Sequence, residues 1–235
     1  MGEVMKKFII GMMCIVICIT SYSCVFRDKN NPLSGKSTEE RTIMALEKAY
    51  PGHKFKMVKK FDTYNGNYYG VFKDENGLKF KVDNIIYDNI YHFGCEDEYL
   101  VEILKQEDFI EIASKIARKY GYTMKIDDEN KTVDVSIPYS DNVTAEHVAT
   151  VMKEILNSVD VPEMYIENEE FSTGEVNYYS SSKMRSIGYE FVLGDKGRMA
   201  SDVVDFLEKN KSVEELSVNI NARISEAKTN AAAVQ

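Results

Sequence analysis

The stretch Glu107–Pro138, "EDFIEIASKIARKYGYTMKIDDENKTVDVSIP", decides the fold. Phe109, Ile112, Ala113, Ile116, Ala117 and Tyr120 recur at spacings of three and four, which gathers them on one face of a helix, and Gly121 ends it. The period then changes to two. Met124 and Ile126 answer Val133, Val135 and Ile137 across a polar turn, the pattern of a half-buried hairpin. A helix followed by a hairpin buries both apolar sets when the helix lies across one face of the sheet.

Toward the carboxyl end, Asn142 or Thr144 starts a second helix with Val148, Val151, Met152, Ile155 and Leu156 apolar. "EMYIENEEF" (163–171) and "SIGYEFVLG" (186–194) read as two further strands, joined through a polar stretch. "MASDVVDFLEKN" (199–210) and "SVEELSVNINARISEA" (212–227) read as terminal helices. Residues 107 to 193 therefore spell αββαββ, a circular shift of the ferredoxin-like order.

Toward the amino end, Ser37 and Glu40 form a capping-box pattern ahead of an apolar stripe at Ile43, Leu46, Ala49 and Tyr50. Pro51-Gly52 stops that helix. Phe55 and Met57, Tyr69 and Val71, then Leu78, Phe80 and Val82 after the Asn76-Gly77 turn, mark three alternating strands. The expectation is an α+β protein of antiparallel sheets with helices on one face. A small αβββ module over residues 39–94 precedes an αββαββ module with terminal helices over 95–235. "IIYDNIYHFGCEDEYL" (85–100) joins them without a clean period.

Residues 45–83 are similar to the small PepSY-like modules of bacterial exported proteins. The shared features are a helix ending in Ala49-Tyr50-Pro51-Gly52, a lysine-rich first strand, and an Asp74-Glu75-Asn76-Gly77 hairpin. The resemblance implies a binding or inhibitory role and carries no catalytic residue set.

The chain opens with Lys6 and Lys7, an apolar run from Phe8 to Thr20, and small residues Ser21 and Ser23 ahead of Cys24. This resembles a bacterial lipoprotein signal, with Ser23 at −1 and Cys24 as the lipidated residue; Ser21 at −3 departs from the usual leucine. The resemblance implies a signal peptide over 1–23, a lipid on Cys24 and a polar tether over 24–38. An uncleaved anchor, since Phe8 to Phe26 is 19 residues without charge, and an ordinary secreted protein are the alternatives. Lipidated or anchored, the body is expected on the extracytoplasmic face of the cell membrane.

With a net charge of −9 the chain repels phosphate backbones, which excludes nucleic acid as an expected partner. "SGKST" lacks the first glycine of a phosphate-binding loop, Asn30 standing there, so no nucleotide is expected. His53, His92 and His147 have no spacing that joins them, and no metal or other cofactor is implied. His92 and Cys95 in "HFGC", or a pair drawn from the acidic clusters at 96–98, 127–130 and 167–170, keep an exported hydrolase open as the alternative function.

Two segments rich in Tyr, Asn, Gly and Ser remain, 62–70 and 172–182. That mixture suits binding loops, where tyrosine supplies contact area with few rotors to freeze. Tyr64, Tyr68, Tyr69, Tyr178 and Tyr179 are the candidate contact residues for a protein or peptide partner. The expected function is that of a membrane-tethered binding or inhibitory, immunity-type protein.

Overall fold

Chain entry, helix packing and two sheets are all visible in a computed structural model that describes residues 30–61, 69–127, 132–165 and 176–234. The architecture is α+β. Helix α1 (Thr38–Ala49) leads into strands β1 (Phe55–Lys59), β2 (Gly70–Asp74), β3 (Lys79–Asp88) and β4 (His92–Asp97). Helices α2 (Tyr99–Gln106) and α3 (Phe109–Lys119), the hairpin β5 (Thr123–Asp127) and β6 (Thr132–Pro138), and helix α4 (Ala145–Leu156) follow. Strands β7 (Asn177–Ser182), β8 (Ser186–Val192) and β9 (Arg198–Asp205) and helix α5 (Val213–Ala233) complete the chain.

Local chemistry fixes the element ends. Ser37 and Glu40 form the capping box of α1, and Thr144 caps α4 by accepting from the His147 N–H at 3.3 Å. At the β2–β3 turn Gly77 has φ +91°, a conformation only glycine adopts without strain. Asp74 Oδ1 accepts from the Leu78 N–H at 2.8 Å and closes the turn. The β5–β6 register pairs Met124 with Val135 and Ile126 with Val133, as the alternation requires.

The strands form two sheets in the orders β1-β2-β3-β4-β7 and β5-β6-β8-β9. In the second sheet the expected strand 186–194 lies where the shifted ferredoxin order sets it, β8 pairing parallel to β6, and β9 takes the far edge against β8, the position that order gives to 163–171. The stretch 199–210 is expected to be helical, but Arg198–Asp205 is extended. It is a strand because Met199, Ala200 and Val204 bury while Ser201 and Val203 face out, and β-branched neighbours suit an edge strand. Residues 161–165 are not a strand, and the rest of 163–171 lies outside the described residues.

Strand β7 was not foreseen as part of the first sheet. It leaves α4, returns across the molecule and pairs parallel to β4, with Phe93 opposite Tyr178 and Cys95 opposite Ser180. The expected module break at residue 95 falls inside β4, and the two units share a chain crossing in both directions. One core gathers Leu46, Phe55, Phe72, Phe80 and Tyr99 beneath α1; the other gathers Phe109, Val135, Met152, Ile155, Tyr189 and Ile220 among α3, α4, α5 and the second sheet. Among the described residues no helix is long and apolar enough to cross a membrane.

From Asn30 onward the expected tether is part of the body. Leu33 is fully buried, the Asn31 side-chain amide donates to the Ile90 carbonyl at 2.6 Å, and Arg41 Nε donates to the Leu33 carbonyl at 3.2 Å. Leu33 therefore plugs the first core ahead of the first helix. Leu33→Ala is expected to cost about 2–4 kcal/mol, the range for a buried leucine truncation, read from urea unfolding; a loss below ~0.5 kcal/mol would mean that this segment does not dock.

Candidate functional site

Strand β4 turns the side chains of Phe93, Cys95 and Asp97 toward α1, leaving His92, Gly94 and Glu96 on the opposite face. Asp97 is 0% exposed and needs partners for its whole acceptor capacity. The Tyr50 hydroxyl, at the end of α1, donates to Oδ1 at 2.7 Å, and the Tyr99 N–H, at the start of α2, donates to the same oxygen at 2.9 Å. The Ser180 hydroxyl, from β7, donates to Oδ2 at 2.7 Å, and the Cys95 thiol donates to Ser180 Oγ at 3.4 Å. Burial raises the Asp97 carboxyl above the ordinary range against these bonds, and burial, with the Asp97 charge beside it, pushes Tyr50 well up.

One side chain further out, this network meets a cleft of about 400 Å³ between the first sheet and the segment after α4. Tyr99 forms its floor. Its ring packs against Tyr50, Phe55 and Phe80 at centroid distances of 4.9, 5.1 and 4.8 Å, and its hydroxyl donates to Asp74 Oδ2 at 3.0 Å. His53, held in the turn after Gly52, places Nδ1 2.9 Å from Glu75 Oε1 and 3.4 Å from the Tyr99 hydroxyl. A carboxylate only accepts, so Nδ1 carries a proton toward Glu75. The Lys54 N–H, bonded to Glu75, holds that carboxyl below its ordinary value, with His53 adding to the effect. Ile103, Gln106, Asp160 and Pro162 close the other side.

His92 and Cys95 are not brought together: three residues apart on one strand, they point to opposite faces. Cys95 is fully buried, and burial pushes its thiol far up, which is the setting of an inert packing cysteine. The 96–98 acidic cluster divides, Asp97 turning inward while Glu98 lies 3.5 Å from Lys183. Asp127 is the described member of the 127–130 cluster, and 167–170 lies outside the described residues. Among the described residues no group of three His, Cys, Asp or Glu side chains forms a metal site.

Of the tyrosine candidates, Tyr64 and Tyr68 lie outside the described residues, as does Cys24. Tyr178 and Tyr179 sit within β7 rather than at a loop tip. Tyr178 is half-buried with Lys48 Nζ 4.6 Å above its ring, and Tyr179 is buried over Gly94, where a Cβ would come within 2.8 Å of the ring. Tyr69 is half-buried between Lys59 and Lys81, 4.9 and 5.2 Å from its centroid.

Sequence reasoning missed the cleft because its members, His53, Asp74, Tyr99 and Asp160, are separated by 20 residues or more along the chain. It also missed a carboxylate pair on the second sheet. Asp134 on β6 is raised by burial and by Glu190 on β8, and Glu190 bonds Lys125. Gly188 makes room for Asp134, whose Oδ1 would lie 1.6 Å from a Cβ there. No protein-family model, curated protein or solved structure matches the chain.

Burial raises the Asp97 pKa above its ordinary 3.8, so the folded protein holds that proton more tightly than the unfolded chain. The stability this confers is full below the ordinary value and is lost as pH rises through the raised one. Asp97→Asn does not titrate, so the stability advantage of wild type over the variant is expected to fall across that window. Urea unfolding from about pH 4 to about pH 8 measures it, and a difference that stays flat or grows with pH contradicts the assignment.

Proposed function

We propose that the protein is an extracytoplasmic binding module, held at the membrane through a lipid on Cys24, that takes a cationic peptide segment in the cleft floored by Tyr99. The observation that carries this reading is the lining. Asp74 is 6% exposed with both oxygens already bonded, while the Asp160 side chain is 99% exposed and held only by a loose ion pair with Lys209 at 3.9 Å, so one charge is fixed and the other is exposed to solvent at the rim. Asn76 and Gln106 add amides, while Leu78, Ile103 and Pro162 add apolar wall. A side chain with an apolar stem and a cationic head suits that mixture.

Binding fits the lining better than hydrolysis. His53 has its carboxylate partner, but no serine, threonine or cysteine lines the cleft among the described residues, so the histidine has no nucleophile to activate. An inhibitory or immunity-type role belongs to the same class. Attachment is supported by the Ser23-Cys24 leader pattern and by the docked segment that begins at Asn30. Six Cα steps separate Cys24 from Asn30, a reach of about 20 Å at most, which keeps a lipidated body close to the bilayer.

Two measurements test the two halves separately. Wild-type protein is expected to take up a palmitate analogue in bacterial cells and Cys24→Ala to take up none; equal labelling rejects the lipid. In solution, a lysine-rich peptide is expected to bind the wild type and to lose up to about fivefold in affinity in Asp160→Asn, the worth of one exposed charge contact. An unchanged affinity, or equal binding of a glutamate-rich peptide, rejects the cleft as a cationic site.

A further inference from the structure

The chain is acidic, yet residues 54–81 hold seven of its lysines. The first sheet sorts them. Phe55, Met57, Phe72, Phe80 and Val82 point into the core, so the alternate positions of β1, β2 and β3 point away from it. The register then stacks like charges: Lys56 pairs with Lys73, and Lys73 pairs with Lys79. In the next row Lys59 pairs with Val71 and Val71 with Lys81, the irregularity between Met57 and Lys59 turning Lys59 outward. Val58 is 48% exposed in their midst.

Like charges directly opposite one another destabilise a sheet. Among the described residues no ion pair joins Lys56, Lys73 or Lys79 to an acid: Asp74 bonds Tyr99 and Leu78, and Glu75, which shares a hollow with Lys56 and Lys73, bonds His53 and the Lys54 N–H. Guarding a sheet edge explains lysines on β1. It does not explain those on β2 and β3, which lie inside the sheet.

We infer that this face docks on an anionic lipid surface, Lys56, Lys59, Lys73, Lys79 and Lys81 meeting phosphate headgroups while Val58 and Tyr69 settle at the interface. A sheet face offers its charges to a plane together, and an exposed apolar residue among lysines is the composition of an interfacial patch. The choice of lipid over another polyanion rests on the membrane attachment proposed above, which holds the body within about 20 Å of the bilayer.

The test uses the full chain with vesicles of phosphatidylcholine alone or with about 30% phosphatidylglycerol. Lysines are acylated by an amine reagent and read by mass spectrometry. Lys56, Lys73 and Lys79 are expected to be protected severalfold on the anionic vesicles only, while Lys196 and Lys228 label equally on both. Equal labelling of the face on both vesicles overturns the inference, and protection by soluble polyglutamate as strong as by anionic vesicles reassigns the face to an acidic polypeptide and overturns the lipid. The triple variant Lys56→Gln/Lys73→Gln/Lys79→Gln, with its fold checked by circular dichroism, is expected to partition about a hundredfold less, near fivefold per lysine. Palmitate uptake without protection of the face rejects this inference alone, and protection without uptake rejects the attachment alone.

Discussion

A carboxylate with no exposed surface, Asp97, sets the terms for the first half of the molecule. A buried acid is tolerated only when its oxygens are bonded, and here the donors come from three elements that no short-range rule brings together. Tyr50 arrives on α1, the Tyr99 N–H on α2, and the Ser180 hydroxyl on β7, 83 residues further along. Oδ1 has two of these donors, while Oδ2 takes its bond from Ser180. The network thus favours the one topology in which β7 crosses back from the second unit and lies parallel to β4. Apolar packing alone would accept many strands at that edge; a serine hydroxyl opposite Cys95 and level with Asp97 accepts fewer.

The same residues position the cleft. Tyr99 is tied to Asp97 through its backbone and to Asp74 through its hydroxyl, so the floor of the cleft is pinned at both ends to buried acids. His53 and Glu75 stand on the two turns that flank β1 and β2, and the aromatic ring cluster beneath holds those turns at a fixed separation. Asp160 and Pro162 come from the segment that leads from α4 toward β7. The segment after α4 therefore closes the cleft against residues of the first sheet and α2, and the cleft belongs to neither unit by itself.

Where burial follows a single period, the sequence was legible. The Ser37–Glu40 capping box, the Gly77 turn, α1, α3 and α4, and the Met124–Val135 register were all readable because each is set within about a dozen residues. Strand β4 was obscured by its own chemistry: Phe93, Cys95 and Asp97 alternate with perfect period, but an acid at the third inward position hides the pattern. Strand β9 was obscured by Asp202, Asp205 and two valines, which satisfy a helical spacing as readily as an edge strand. The tyrosine pair at 178 and 179 looked like a loop tip because serines surround it, although those serines serve a buried acid. Nothing local announces a donor whose acceptor lies 83 residues away.

Charge is sorted by the same period that sorts hydrophobicity. On β1 to β3 the inward positions are aromatic and aliphatic, and the outward ones carry lysine with few acids between them. The acids of the β2–β3 turn are engaged instead by the Tyr99 hydroxyl and the Leu78 N–H at Asp74, and by the Lys54 N–H and His53 at Glu75. A net charge of −9 therefore hides a dipolar first unit, with a negative cleft on one side of the sheet and a positive face on the other. Such an arrangement costs stability on the lysine side, since each like-charged pair raises the folded state's energy. Tyr69 relieves part of it, its ring lying between the ammonium groups of Lys59 and Lys81. The rest is uncompensated within the described residues, and an anion supplied from outside the chain would relieve it. Under the lipid proposal a surface of phosphates would meet these rows together, so the sheet geometry, and not the total charge, would select the partner.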